Sequence, residues 1–282
     1  MTLPEVTVVI PTYNRRHLLE RAINSVLEQT FQPFELIVVD DASEDRTWEY
    51  LQRVIAEDSR VSAVGLDRHL GMPGAVRNRG VAASSGGLIA FLDSDDRWLP
   101  DKLEKQVPFH REGRPHITHT RELWLRKGKR VSQKGQTHRR EGALFMESLK
   151  KCIIGPSTVM LDRELFDSLG GFDETLEIAE DYELWLRVTA REKVGYLDEA
   201  LTEKIAGHGD QLSERYGQIE GFRIEALRRV LDSGVLPAER IPAAREELAS
   251  KLRLFALGAR KRGRQEEADA LEVEAASLDE KG

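Results

Sequence analysis

The chain has 282 residues and a formal net charge of −7, from 42 basic and 49 acidic side chains, and 40% of it is apolar. That length buries a full core without a disulfide or structural metal, and the acidic balance lacks the basic footprint of a nucleic-acid binder. The opening MTLPEVTVVIPTYN has no cationic start, and no stretch approaches the roughly 20 apolar residues of a membrane helix, so neither a signal peptide nor a membrane span is expected. The one cysteine, Cys152, cannot form an internal disulfide, which fits a reducing, cytoplasmic setting.

The first hundred residues alternate two periodicities. Val6–Ile10 is a β-branched run that reads as a buried strand, followed by Leu18, Leu19, Ala22, Ile23, Val26 and Leu27 at helical spacing. Leu36–Val39 is a second strand ending in Asp40-Asp41, and Ser43 is placed to cap a helix from about Glu44 to Ala56. Val61–Leu66 reads as a third strand, Gly71–Gly74 breaks the chain, Ala75–Ala83 is helical, and Leu88–Leu92 is a fourth strand followed at once by Asp93-Ser94-Asp95-Asp96. Alternating strands and helices predict an α/β fold with a mostly parallel sheet and flanking helices. Ligands of such sheets bind beyond the carboxyl ends of the strands, where Pro11–Asn14, Asp40-Asp41 and Asp93–Asp96 all fall.

The pattern weakens from Arg111 to Arg140, a basic, turn-rich stretch that suggests a hairpin from Ile117–Leu125 to Arg130–Gln133. A helix is expected over Leu99–Phe109, short helices at Ala143–Lys150 and Glu164–Leu169, and a strand at Ser157–Leu161. Asp181–Arg191 reads as a helix and Val194–Leu197 as a strand. After about Ser213 only helical stripes remain, one through Ile219, Phe222, Ala226, Leu227 and Val230, and another through Leu248, Leu252, Phe255, Ala256 and Ala259. A last helix is expected from Gln265 to Leu278. The expected organisation is a domain over 1–212, divided at 110/111 into nucleotide-side and acceptor-side halves, with a helical region over 213–282.

The candidate chemistry lies at the turns. Pro11-Thr12-Tyr13-Asn14 contains no glycine, which excludes the dinucleotide fingerprint and the P-loop. Tyr13 offers a flat face to a base, although Thr12 as a helix cap explains the same residues. Asp40-Asp41 is suited to a base N–H or ribose hydroxyl, or simply fills a turn. Three carboxylates in Asp93–Asp96 repel one another unless a cation sits among them, and hard oxygen ligands suit Mg²⁺ or Mn²⁺. The competing reading is an acidic N-cap cluster before the next helix. Glu180-Asp181 opens a helix, where acids are routine, or presents a general base. His208 lies in a glycine-flanked loop as a solvated histidine or a ligand to metal or phosphate.

VVIPTYNR at Val8–Arg15, VVDDAS at Val38–Ser43, VRNRG at Val76–Gly80 and FLDSDD at Phe91–Asp96 together resemble family 2 glycosyltransferases of the GT-A fold. GGFDE at Gly170–Glu174 and EDYELWLR at Glu180–Arg187 resemble the acceptor-side motifs of the same family. The resemblance spans roughly Thr7 to Ser213. It implies a GT-A fold and an inverting, metal-dependent transfer of a sugar from a nucleoside diphosphate, most commonly uridine-linked, to an acceptor hydroxyl. By it, Pro11, Thr12, Tyr13, Asn14 and Arg15 with Asp41 hold the nucleoside, Arg77 is a basic position near the nucleotide, and Asp93 and Ser94 lie by the ribose or metal. Asp95 matches the direct metal ligand of the D-x-D motif, His208 a histidine that completes the metal and diphosphate site, and Asp181 the catalytic base.

The chain lacks the long apolar segments of processive synthases, which favours single-sugar transfer to a lipid-linked glycan, a cell-surface polysaccharide precursor or a small metabolite. The helical tail is a candidate surface for homodimer formation or a peripheral contact with the inner face of a membrane. Two other functions compete. A sugar nucleotidyltransferase calls for a glycine-rich, arginine-bearing first turn, which Pro11–Asn14 contradicts. A non-catalytic sugar-nucleotide-binding protein would be marked by loss of Asp95 or Asp181, and both are present.

Overall fold

The computed structural model describes residues 3–113, 115–133, 138–206 and 219–280. The first half runs β1 (Val6–Thr12), α1 (Arg16–Leu27), β2 (Phe34–Asp40), α2 (Thr47–Glu57), β3 (Val61–Gly65), α3 (Pro73–Ala82) and β4 (Leu88–Phe91). Its strands lie side by side in the order β3-β2-β1-β4, all parallel. The β-branched runs are continuous because both faces are covered. Val6, Val8, Ile10, Leu36 and Val38 feed the core under α1 and α2, while Val9, Ile37, Val39, Ile89 and Phe91 feed the opposite core under α3.

The second half comprises β5 (Arg97–Trp98), α4 (Lys102–Gly113), β6 (Ile117–Arg126), β7 (Lys129–Arg130), α5 (Phe145–Lys150), β8 (Val159–Asp162), α6 (Arg163–Ser168), α7 (Glu180–Thr189) and β9 (Gly195–Ala206). These strands extend the sheet as β4-β8-β6-β9-β5, with β7 paired only to β6. Here the sheet is mixed: β8 runs against both β4 and β6, and β9 runs with β6. Two reversals leave β6 and β9 pointing the same way as β1, β2, β3 and β4, so six strands deliver their carboxyl ends to one edge. Three further helices follow, α8 (Ile219–Asp232), α9 (Ile241–Lys261) and α10 (Gln265–Asp279): α8 packs on α7, α9 on α5 and α8, and α10 on α9, with Leu227, Leu248 and Leu252 joining Phe145, Tyr182 and Leu186 in one core. Among the described residues no helix is long and apolar enough to cross a membrane.

Four local expectations shift. Ser43 does not cap α2, which starts at Thr47 after Arg46 in the left-handed region; the Ser43 hydroxyl oxygen instead accepts from the Asn14 N–H at 2.8 Å. The helix expected from Leu99 begins at Lys102, because Arg97-Trp98 is drawn into the sheet against β9. Asp93–Asp96 are therefore not its N-cap cluster. The strand expected over Val194–Leu197 is the start of twelve-residue β9, whose charged residues and register shifts against β6 interrupt the apolar pattern. The hairpin turns where expected, at Lys127-Gly128, but its second strand is only Lys129–Arg130 rather than Arg130–Gln133.

Helix α3 lies unusually close to the sheet. A Cβ at Gly80 would sit 2.4 Å from Val9 Cγ1 and 3.0 Å from Val39 Cγ2. Gly80→Ala is expected to lower stability by about 1–3 kcal/mol in urea unfolding, the usual cost of overpacking. Gly87→Ala, whose added methyl meets nothing within 4 Å, is expected to stay within about 0.5 kcal/mol.

His119 on β6 is buried and its Nε2–H donates to the Arg140 carbonyl at 2.7 Å. Burial holds the ring neutral and lowers its pKa to about 4. The unfolded chain takes up this proton near pH 6.5 and the folded chain only near 4, so stability present above 6.5 is lost as pH falls through that window. The loss attributable to this group is at most about 3 kcal/mol. Comparing urea midpoints from pH 7 to 4, His119→Gln should show a flatter profile than wild type.

Candidate functional site

The edge that collects the strand ends is built from three stitched turns. Where β1 ends, Asn14 takes a φ of 50°, its N–H donates to Ser43 Oγ and its Oδ1 accepts from the Glu44 N–H at 2.7 Å. The Arg16 N–H donates to Asp45 Oδ2 at 2.9 Å, so the turns after β1 and β2 hold each other. Asp41, nearly buried, turns its carboxylate to a third segment: it accepts from the N–H groups of Leu70 at 2.8 Å and Gly71 at 3.1 Å and meets His69 Nδ1 at 2.8 Å. This places the His69 ring flat on Tyr13, with centroids 3.6 Å apart and planes 14° from parallel.

Beyond β4, carboxylate oxygens of Asp93, Asp95 and Asp96 lie within 4.8 Å of one another. Asp96 is held from below: Oδ2 accepts from the Ser157 hydroxyl at 2.6 Å, and Oδ1 from the Ile205 N–H at 3.3 Å. Cations surround the cluster. Arg15 lies 3.4 Å from Asp95 Oδ2, Arg21 donates to the Asp95 carbonyl at 2.9 Å, and Lys204 Nζ is 3.9 Å from Asp96. Burial raises the Asp96 pKa to about 8; Lys204 opposes the rise, and Asp93 and Asp95 add to it. Burial also acts on Asp93, but Arg77 and then Lys204 outweigh it and keep its pKa low. Three clustered carboxylates, one of them resisting ionisation, form a donor set that fits a hard divalent cation.

The opposite wall is the start of α7. Ala179 adopts a φ of 66°, swinging Glu180 and Asp181 into the cleft. Arg77, a residue 5% exposed, donates through Nη1 to Glu180 Oε1 at 2.6 Å and through Nη2 to Asp93 Oδ1 at 2.7 Å. Burial raises the Glu180 pKa to about 7 against the pull of Arg77. Asp181 accepts from the Tyr182 N–H at 2.7 Å and from the Cys152 thiol at 3.3 Å, and burial followed by this carboxylate pushes the Cys152 pKa up.

One cleft of about 900 Å³ joins these walls. It is lined by Pro11, Thr12, Tyr13, Asn14, Arg15, Asp41, Arg77, Asp93, Ser94, Asp95 and Asp181, which are the site residues expected from sequence with one exception. That exception, His208, lies outside the described residues. Arg77 is placed at the cleft, but both its terminal nitrogens are committed to carboxylates. Sequence reasoning did not single out His69 or Lys204, which also line the cleft. His69 is tied to Asp41 only by the fold, and Lys204 sits in the part of β9 whose charged pattern concealed the strand.

Comparison with known proteins agrees with this geometry. The Glycosyl transferase family 2 profile matches residues 7–170, more than half of the chain. The chain is 35% identical over 202 residues to the Bacillus subtilis glycosyltransferase TuaG, covering 71% of this chain and 78% of that protein. It is 35% identical over 183 residues to the Escherichia coli UDP-Glc:alpha-D-GlcNAc-diphosphoundecaprenol beta-1,3-glucosyltransferase WfgD, covering 65% and 69%. Its match to a Rickettsia felis glycosyltransferase, 32% identical over 72% of this chain, spans 33% of that longer protein. Among solved structures, S. aureus TarS with UDP-GlcNAc superposes with a TM-score of 0.71 at 19% identity, covering 97% of this chain and 92% of that one. The Pyrobaculum calidifontis mannosyltransferase PcManGT with GDP-Man and Mn²⁺ gives 0.66 at 19% identity, covering 98% and 87%. The fold is thus that of the GT-A enzymes, and the chain belongs to glycosyltransferase family 2.

Proposed function

We propose that the protein is an inverting, metal-dependent glycosyltransferase that moves one sugar from a nucleoside diphosphate, uridine-linked by preference, to a hydroxyl of a lipid-linked or cell-surface glycan. The observation that carries this reading is the Glu180–Arg77–Asp93 bridge, which holds the start of α7, and with it Asp181, across one cleft from the acid cluster. The names of two relatives support the acceptor class: WfgD's specifies a UDP-linked donor and a diphosphoundecaprenol acceptor, and TuaG's places it in teichuronic acid biosynthesis. Residues 1–212 supply the transfer chemistry in this reading, and the helical region beyond them acts as a buttress, with α8 packed on α7.

In this mechanism Pro11–Arg15 and Asp41 frame the nucleoside, with Tyr13 against the base on the side His69 leaves open. Asp95, with Asp93 and Ser94 beside it, would hold a divalent ion, Mg²⁺ or Mn²⁺, and that ion when bound supplies positive charge to the leaving diphosphate. Arg15 and Lys204 add fixed charge at the same place. Asp181 takes the proton from the acceptor hydroxyl, whose oxygen attacks the anomeric carbon from the side opposite the diphosphate, and no covalent enzyme intermediate forms. With both terminal nitrogens engaged, Arg77 positions the two walls rather than binding phosphate.

A thermal-shift panel of nucleoside diphosphates with and without Mn²⁺ tests the donor site, since a ligand of the folded state raises Tm. UDP with Mn²⁺ should raise Tm, and Asp95→Ala should lose the metal-dependent part of the rise. Asp181→Asn should keep the donor-induced rise while transfer to an added acceptor falls at least about 100-fold; full transfer by this variant would make the base assignment wrong. Arg77→Met strands the buried Glu180 carboxylate and the partly buried Asp93, and is expected to cost about 3 kcal/mol in urea unfolding. Arg77→Lys, which restores the charge but not the two-pronged geometry, should recover only part of the stability and less of the transfer rate.

A further inference from the structure

The β6–β7 hairpin carries a charge that the rest of the chain opposes. Between 121 and 140 five arginines and three lysines stand against one glutamate, in a chain of net charge −7. The tip, Arg126-Lys127-Gly128-Lys129-Arg130, is exposed throughout. It reverses on Lys127 and Gly128, with φ of 50° and 72°, the two-residue turn whose twist matches the flanking strands. Four cations are thereby packed into one tight projection.

Behind the tip is an open cleft of about 780 Å³ lined by Arg121, Arg130 and Arg140, with Leu123, Val131 and Tyr196 among its walls. The Arg140 guanidinium lies 5.5 Å from the Tyr196 ring centre, and Arg121 has one exposed carboxylate, Asp198, 3.4 Å away. This cleft is distinct from the donor cleft. Side chains alternate across a strand, and Trp124, on the other face of β6 from Arg121 and Leu123, is the one that meets Lys204.

The hairpin nevertheless reaches the donor cleft's mouth. Leu125 pairs with Ile205, whose N–H bonds Asp96 at 3.3 Å, so the tip stands just past the acid cluster on the same edge. We propose that the hairpin docks the enzyme on an anionic bilayer. The tip cations contact lipid phosphates and the arginine cleft receives headgroup phosphates, for which guanidinium is geometrically suited. The acidic remainder of the molecule is repelled by the same surface, which orients the donor cleft's mouth toward the membrane. The sequence pointed to the helical tail for membrane contact; charge and topology point to this hairpin. The inference serves the lipid-linked acceptor reading but stands on the hairpin alone.

Co-sedimentation with vesicles tests it. The full chain should pellet with phosphatidylcholine vesicles containing about 30 mol% phosphatidylglycerol and not with phosphatidylcholine alone, and binding should weaken at least about tenfold between about 50 and about 500 mM salt. Arg126→Glu with Lys129→Glu should bind at least about 30-fold more weakly, at about one kcal/mol per cation, with an unchanged urea midpoint. Arg126→Gln with Lys129→Gln should fall between. Asp95→Ala should bind vesicles as wild type does, which separates this result from the fate of the transfer chemistry. Equal binding to neutral vesicles, undiminished binding by the charge-reversed variant, or binding to polyphosphate or RNA without binding to anionic vesicles would overturn the proposal.

Discussion

The site depends on one buried guanidinium. Arg77 comes from the nucleotide-side half of the chain, and its partners Asp93 and Glu180 come from opposite walls of the cleft. Taking an arginine out of water is costly unless its donors are matched, and here two carboxylates match both ends of the fork. Because the price of leaving any member unpaired is high, the three side chains fix a separation that helix packing alone would leave looser. Asp181 follows Glu180 directly, so its position relative to Asp95 is inherited from this bridge.

The same bridge organises the charges. Arg77 satisfies Asp93 and keeps it ionised, while Asp96, deeper and held by Ser157 and Ile205, resists ionisation. Burial and mutual repulsion would make a bare cluster of three acids a liability. Arg15, Arg21 and Lys204 around it limit that cost. Carboxylates bordered by a basic rim suit the substrate of the proposed reaction, a metal-bound diphosphate, which brings both charges together.

How much of this the sequence disclosed depended on burial. The parallel half was legible because strands buried on both faces read as continuous β-branched runs, and because their ends are sharp turns rich in Asp and Asn. The acid cluster and Pro11–Asn14 were found for that reason. The mixed half was less legible: β9 carries adjacent charged pairs, Asp198-Glu199 and Glu203-Lys204, that break the period of two, and it shifts register against β6, so only its first residues stood out. Pairings that span the chain carry no local mark. Nothing near Arg77 in sequence announces Glu180, 103 positions away, and the stack of His69 on Tyr13 follows from Asp41 accepting the backbone of the 69–71 segment. The resemblance named Arg77 as a position of interest, while only the fold reveals that its terminal nitrogens hold Glu180 and Asp93.

Backbone conformation adds an independent argument that this edge is shaped for function. Positive φ in residues other than glycine costs energy and persists only where the surroundings enforce it. Asn14 and Ala179 line the donor cleft in this conformation, and Ala42, which shares it, follows Asp41 directly. Asn14 is held by Ser43 and Glu44, and Ala179 by a helix whose first residue is clamped to Arg77. Glycine at Ala42 or Ala179 would relieve the strain but loosen the turn by restoring backbone freedom. Alanine at both costs stability but restricts the turns, so that a donor bound as proposed meets carboxylates already positioned rather than having to order them.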